Sequence, residues 1–129
     1  MALRGGLLSK TILIVEDDPQ VRALLKVVLS NEGFQVIEAE DGTRALDQIR
    51  KRRGRVAAVL TDIDMGRMNG TELAESVKAQ FPTVPILFIS ALPVPLAELE
   101  QLIPGSAFVS KPFDAATLIK TVRKLIEQS

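Results

Sequence analysis

Three runs of this chain, Thr11 to Val15, Val56 to Leu60 and Val84 to Ile89, are apolar at nearly every position instead of alternating. A strand with one wet face alternates; a strand apolar throughout must be covered on both faces, which is the situation in a parallel sheet flanked by helices. Each run is followed by a segment with helical apolar spacing, and two further strand-like runs, Phe34 to Glu38 and Ser106 to Ser110, complete a strict alternation. Crossovers of this kind are right-handed and place helices on both sides of the sheet.

The local signals agree with that reading. Asp18 before Pro19 marks a helix start, and Val21, Leu24, Leu25, Val28 and Leu29 form its apolar stripe as far as Gly33. Asp41-Gly42 opens a second helix through Ala45, Leu46 and Ile49, with Gly54 as its stop. Asn69 followed by Glu72 is a capping box for a third helix carrying Leu73, Ala74, Val77 and Phe81, closed by Pro82. A short helix with Leu96, Leu99, Leu102 and Ile103 lies between Pro93-Val94-Pro95 and Pro104-Gly105, and should be the weakest. The last helix carries Leu118, Ile119, Val122, Leu125 and Ile126. Five strand-helix pairs predict an α/β, flavodoxin-like three-layer sandwich, (βα)5, with sheet order 2-1-3-4-5.

A length of 129 residues with 47% hydrophobic content suits a single domain over residues 11–129, preceded by a leader or an appended tail over residues 1–10. Sixteen basic and sixteen acidic residues cancel, so no global charge points to nucleic acid or an anionic membrane. The cluster Arg50-Lys51-Arg52-Arg53 with Arg55 lacks interleaved aromatics and reads as a solvated helix end. No apolar run approaches the ~20 residues of a membrane helix. Absence of cysteine excludes a disulfide framework and thiolate metal sites, which leaves the cytoplasm as the default location. Absence of histidine removes the usual acid/base group and the commonest metal ligand. The chain can therefore accept a phosphoryl group from a histidine but cannot donate one.

Four strand ends carry chemically useful groups: Glu16 with Asp17, Asp62 with Asp64, Ser90, and Lys111. In the predicted order, the first and third strands flank the switch point, where such sheets bind ligands. Three or more carboxylates gathered there require a cation, and an all-oxygen donor set suits Mg2+ or Mn2+. A carboxylate such as Asp62 is also a competent nucleophile toward phosphorus. Phosphoryl transfer needs positive charge on the equatorial oxygens more than a base, and Lys111 with the metal would supply it while the Ser90 hydroxyl donates to one oxygen. The product would carry about −1.5 to −2 charges, enough to reorganise a nearby loop.

Over residues 11 to 127 the chain resembles the receiver domain of two-component response regulators. The resemblance rests on Glu16-Asp17 after the first strand, Asp62 within Thr61-Asp62-Ile63-Asp64-Met65-Gly66-Arg67-Met68-Asn69-Gly70, Ser90-Ala91 after the fourth strand and Lys111-Pro112-Phe113 after the fifth. Singly, Ser90 is a strand-end hydroxyl, Lys111 a surface amine and Phe108 a core aromatic; their joint order is what is specific. The resemblance implies that Asp62 is the phosphoacceptor, with Asp17 and Asp62 binding the metal directly, Glu16 through water and Asp64 through its backbone carbonyl. It implies that Ser90 and Phe108 form the switch and that the Lys111-Pro112 bond is cis, a geometry accessible because the second residue is proline. It also implies phosphotransfer from a histidine kinase or histidine phosphotransfer protein, an output protein or domain as reader, and dimerisation through the last two helices and last strand as an option.

Three departures stand out. Gly66 occupies a position where the family usually has proline, which loosens that loop. Asp64 places an acid two residues past the acceptor, near the path of an attacking water. Pro93 and Pro95 fall in the element that relays switching in relatives. Two other readings compete: a haloacid-dehalogenase-like phosphohydrolase using Asp62-Ile63-Asp64 as its DxD, and a receiver that does not phosphorylate and serves only for docking or dimerisation. Against the first, a complete strand-acid-helix unit precedes Asp62, and only Asp114 and Glu127 follow Lys111 as acids. Against the second stand the acceptor, the acid pair and the lysine, all present.

Overall fold

The computed structural model describes residues 10–65 and 68–128. The expected leader, apart from Lys10, and the substitution of Gly66 for proline lie outside the described residues. Among the described residues, five strands, β1 (Thr11–Val15), β2 (Gln35–Ala39), β3 (Ala58–Asp62), β4 (Ile86–Ser90) and β5 (Ala107–Ser110), alternate with five helices. The helices are α1 (Pro19–Asn31), α2 (Gly42–Lys51), α3 (Gly70–Gln80), α4 (Leu96–Leu102) and α5 (Ala115–Glu127). The sheet is parallel throughout in the order β2-β1-β3-β4-β5, as the alternation predicts.

The pleat explains the uninterrupted apolar runs. Alternate residues of one strand point to opposite faces, so Leu13 and Val15 of β1 join a core beneath α2, α3 and α4. Ile12 and Ile14 of the same strand join a second core beneath α1 and α5. All positions of β1, β3 and β4 are buried, whereas most of edge strand β2 is not.

Four of the five helices begin at a side-chain cap: Asp18, Asp41, Asn69 and Asp114 each accept from backbone N–H groups of the first turn. The capping box of Asn69 and Glu72 is formed in full. α4 is the exception. It has seven residues, starts after Pro95 with no side-chain cap and buries only Leu99 within its span.

Boundaries shift in two informative places. The third strand runs from Ala58 to Asp62 instead of from Val56 to Leu60, so Asp62 is its last residue. α2 ends at Lys51, three residues before Gly54. The chain turns through Arg53 (φ 56°) and Gly54 (φ 76°), where the Gly54 N–H donates to the Ile49 carbonyl at 2.9 Å. The neighbouring bases behave as solvated side chains: Arg50 hydrogen-bonds Gln80 at 2.9 Å and Arg55 the Arg52 carbonyl at 3.3 Å.

Candidate functional site

The carboxyl ends of β1, β3, β4 and β5 meet at one edge of the sheet. At β1, the Glu16 N–H donates to the Ala39 carbonyl at 3.1 Å, which extends the pairing with β2 one residue beyond the strand. Glu16 is thereby buried at the strand tip, while Asp17 and Asp18 are exposed. Asp18 has the capping role expected of it, accepting from Gln20 N at 2.8 Å and Val21 N at 3.4 Å, and its own N–H donates to Glu16 Oε2 at 3.1 Å.

At β3, Asp62 is only 7% exposed. Oδ1 accepts from the Asp64 N–H at 3.0 Å, and Oδ2 accepts from Lys111 Nζ at 2.6 Å. Lys111 Nζ also donates to Glu16 Oε1 at 2.8 Å, so one ammonium bridges the tips of two strands. The Lys111 backbone N–H donates to the Ser90 carbonyl at 2.8 Å, fixing β5 to β4 next to the site. The Lys111-Pro112 bond is cis. Ser90 is buried, and its Oγ accepts from the Leu92 N–H at 3.1 Å.

Glu16, Asp17 and Asp62 each offer an oxygen, and these atoms lie within 4.8 Å of one another. One ammonium against three carboxylates leaves an excess of negative charge, and the donors are all hard oxygens. Those are the conditions for a divalent cation of the Mg2+ or Mn2+ class. The electrostatics bear the mark of crowding. Burial, reinforced by the Asp62 charge, pushes Glu16 up from 4.5 to about 6, even though Lys111 and the Asp18 N–H favour its ionised form. Burial also acts to lower Lys111, but its hydrogen bonds to Asp62 and Glu16 outweigh that and hold it above the usual lysine value, hence charged.

Not every residue singled out from the sequence joins the cluster. The Asp64 residue is exposed, and its recorded contact with Asp62 is through its backbone N–H. Phe108 is half-buried on β5, opposite Phe88 in register, and packs against the core under α2, α3 and α4. It flanks a surface depression with Leu96 and Leu99 of α4, and none of Glu16, Asp17 and Asp62 lines that depression.

Two contributors escape a reading by strand ends. Gly70 opens α3 directly under Asp62: a Cβ there would overlap the Asp62 carbonyl oxygen and lie 2.9 Å from Ile63 Cα. Its N–H donates to the Ile63 carbonyl at 2.9 Å, so β3 and α3 are drawn too close for any side chain. Arg22, in the first turns of α1, donates from Nη1 to the Glu16 carbonyl at 2.7 Å. A cation one turn and a half past an acid pair was the only sequence signal for it.

The model of the family described as the response regulator receiver domain matches residues 12–123. The chain is 33% identical over 116 residues to the transcriptional regulatory protein YbdJ of Bacillus subtilis (strain 168), covering 90% of this chain and 50% of that one. It is 31% identical over 125 residues to the sensor kinase CckA of Brucella abortus (strain 2308), covering 93% of this chain but 13% of the kinase. The chain thus spans half or less of the length of these relatives. Among solved structures, the chemotaxis protein CheY4 of Vibrio cholerae superposes with a TM-score of 0.82 at 27% identity, over 91% of this chain and 98% of that one. The competing phosphohydrolase reading is not favoured by these similarities.

Proposed function

The chain belongs to the response regulator receiver domain family, a class of phosphoacceptor signalling domains of two-component systems, and on that premise we propose that Asp62 is its phosphoacceptor. The observation that carries this reading is the direct contact of Asp62 Oδ2 with Lys111 Nζ at 2.6 Å inside the acidic cluster. An ionised Asp62 oxygen attacks the phosphorus of a partner's phosphohistidine; the P–O bond forms as the P–N bond breaks, and the imidazole leaves with the electron pair. Lys111, held charged, moves its contacts from the carboxylates to the incoming phosphoryl oxygens. Ser90 Oγ accepts from Leu92, so its hydroxyl proton is free to donate to another of those oxygens. Glu16, Asp17, Asp62 and the Asp64 backbone carbonyl would hold Mg2+ or Mn2+, which when bound neutralises charge on the transferred group. Hydrolysis of the acyl phosphate by water restores Asp62, so the domain turns over its own modification without being a conventional enzyme.

The conformational readout follows from the same contacts. Ser90 drawn toward the phosphoryl group releases the Leu92 N–H, and with it the loop leading into the sparsely buried α4. Phe108 then takes the space at the α4–β5 side. Leu92, Leu96 and Leu102 are already exposed there, at 59%, 56% and 46%. This surface of α4, β5 and α5 is where a reader, or a second copy, would dock. The donor is a histidine kinase or histidine phosphotransfer protein, since the chain holds no histidine of its own. No helix among the described residues is long and apolar enough to cross a membrane.

The test is to treat the protein with a small phosphodonor and Mg2+ and record intact mass. A single phosphate adduct that is lost in Asp62→Asn supports the reading. Rapid release of phosphate over many turnovers would point to the phosphohydrolase instead, and no adduct to a docking module.

A further inference from the structure

Arg22 is a charged side chain at this edge that the chemistry above does not use. Its guanidinium is held at two places. Nη1 donates to the Glu16 carbonyl at 2.7 Å, and Nε lies 3.4 Å from Glu38 Oε1 on β2. Glu38 is itself anchored: Lys26 Nζ lies 3.3 Å from its other oxygen, and its carbonyl accepts from Gln48 Nε2 at 2.7 Å. β1 ends at Val15, so the peptide joining Glu16 to Asp17 lies beyond the strand. The guanidinium fork grips that peptide from the α1 side.

We propose that Arg22 is a positioning residue for the divalent-cation site. By fixing the carbonyl between the two acids, it sets the directions in which Glu16 and Asp17 present their carboxylates. The inference rests on the reading that Glu16, Asp17 and Asp62 hold the metal. Two effects of Arg22 oppose each other. Its charge repels a dication, while its hydrogen bond organises the donors. Glu38 partly cancels the charge, and the contact to the Glu16 carbonyl is short and only partly exposed, so the organising effect dominates. A brace that only stitches α1 to β2 would affect unfolding and leave cation affinity alone.

The test is isothermal titration of Mg2+ into the full chain and its variants, with folding verified by far-ultraviolet circular dichroism. Arg22→Met, which keeps an apolar stem and removes both donors, should weaken Mg2+ binding roughly tenfold. Arg22→Lys keeps the charge but cannot fork between the Glu16 carbonyl and Glu38, and should weaken it about threefold. Arg22→Lys carries the test alone if Arg22→Met does not fold. Arg44→Met removes a cation that pairs with Glu40 and Asp41 instead, and should stay within about twofold of wild type. At saturating Mg2+, phosphodonor labelling of Arg22→Lys should return to within about twofold of the wild-type rate, because Asp62 and Lys111 are untouched. Unchanged or tighter Mg2+ binding in the folded Arg22 variants overturns the inference while leaving the metal reading intact. A wild-type chain that takes up no Mg2+ overturns the metal reading itself.

Discussion

Replacing Glu16 with glutamine probes the electrostatic cost of the acidic cluster. In the metal-free protein, burial and the Asp62 charge raise the Glu16 pKa from 4.5 to about 6. A group whose folded value is raised adds stability that is fully present below the unfolded value and is lost as pH rises through the folded value. The window therefore runs from about 4.5 to about 6. With those two values, ionising Glu16 removes folding stability progressively across that window, roughly 2 kcal/mol once Glu16 is fully ionised. Glutamine does not titrate, so Glu16→Gln should gain on wild type by on the order of 1 kcal/mol as pH rises from about 5 to about 7.5. Any fixed cost of placing an amide NH2 beside Lys111 drops out of that difference. The chain has no Trp or Tyr, so urea unfolding should be followed by circular dichroism, with chelator present. A stability gap that is flat with pH, or that narrows as pH rises, would refute the argument that Glu16 is held ionised at a cost. Bound Mg2+ should reverse the preference, because a dication at the site favours the carboxylate over the amide.

Three further outcomes follow from particular contacts. Gly70→Ala forces a methyl against the Asp62 carbonyl and should destabilise the fold by roughly 1–3 kcal/mol and slow phosphodonor labelling, whereas equal stability would show that β3 and α3 separate freely. Asn69→Ala removes the acceptor for the Glu72 N–H and for the Thr71 hydroxyl, and should cost about 1 kcal/mol in urea unfolding while the variant still gains the single phosphate adduct. Asp64→Asn removes an exposed charge two residues past the acceptor; a changed Mg2+ affinity and a changed dephosphorylation rate are expected, and equality in both would show that this side chain does not reach the reacting group.

Much of the fold was legible because its determinants are local. Asp18, Asp41 and Asn69 cap helices where their sequence neighbours announce them, and the apolar runs disclose a sheet covered on both faces. The exact ends were less legible. Asp62 has the strand's hydrogen bonding even though it is charged, because its partner across the ladder, Ile89, extends the pairing. α2 stops before the glycine that could stop it, because Arg53 itself adopts a positive φ.

The site divides along the same line. The acids, the serine and the lysine were identifiable as strand-end residues, in the order that a five-stranded parallel sheet converts into proximity. What no local pattern contained was how they meet. Lys111 bonds Glu16 and Asp62 across 95 and 49 residues, Gly70 is compelled by a close backbone approach, and Arg22 grips the peptide between two acids. The sequence by itself determined the elements, their order and the inventory of charges, because helical and strand periodicities and caps act over a few residues. The tertiary structure alone decided which charges share a dry edge and which remain in water. Desolvation and Coulomb interactions depend on burial and distance, and those exist only once the sheet has closed.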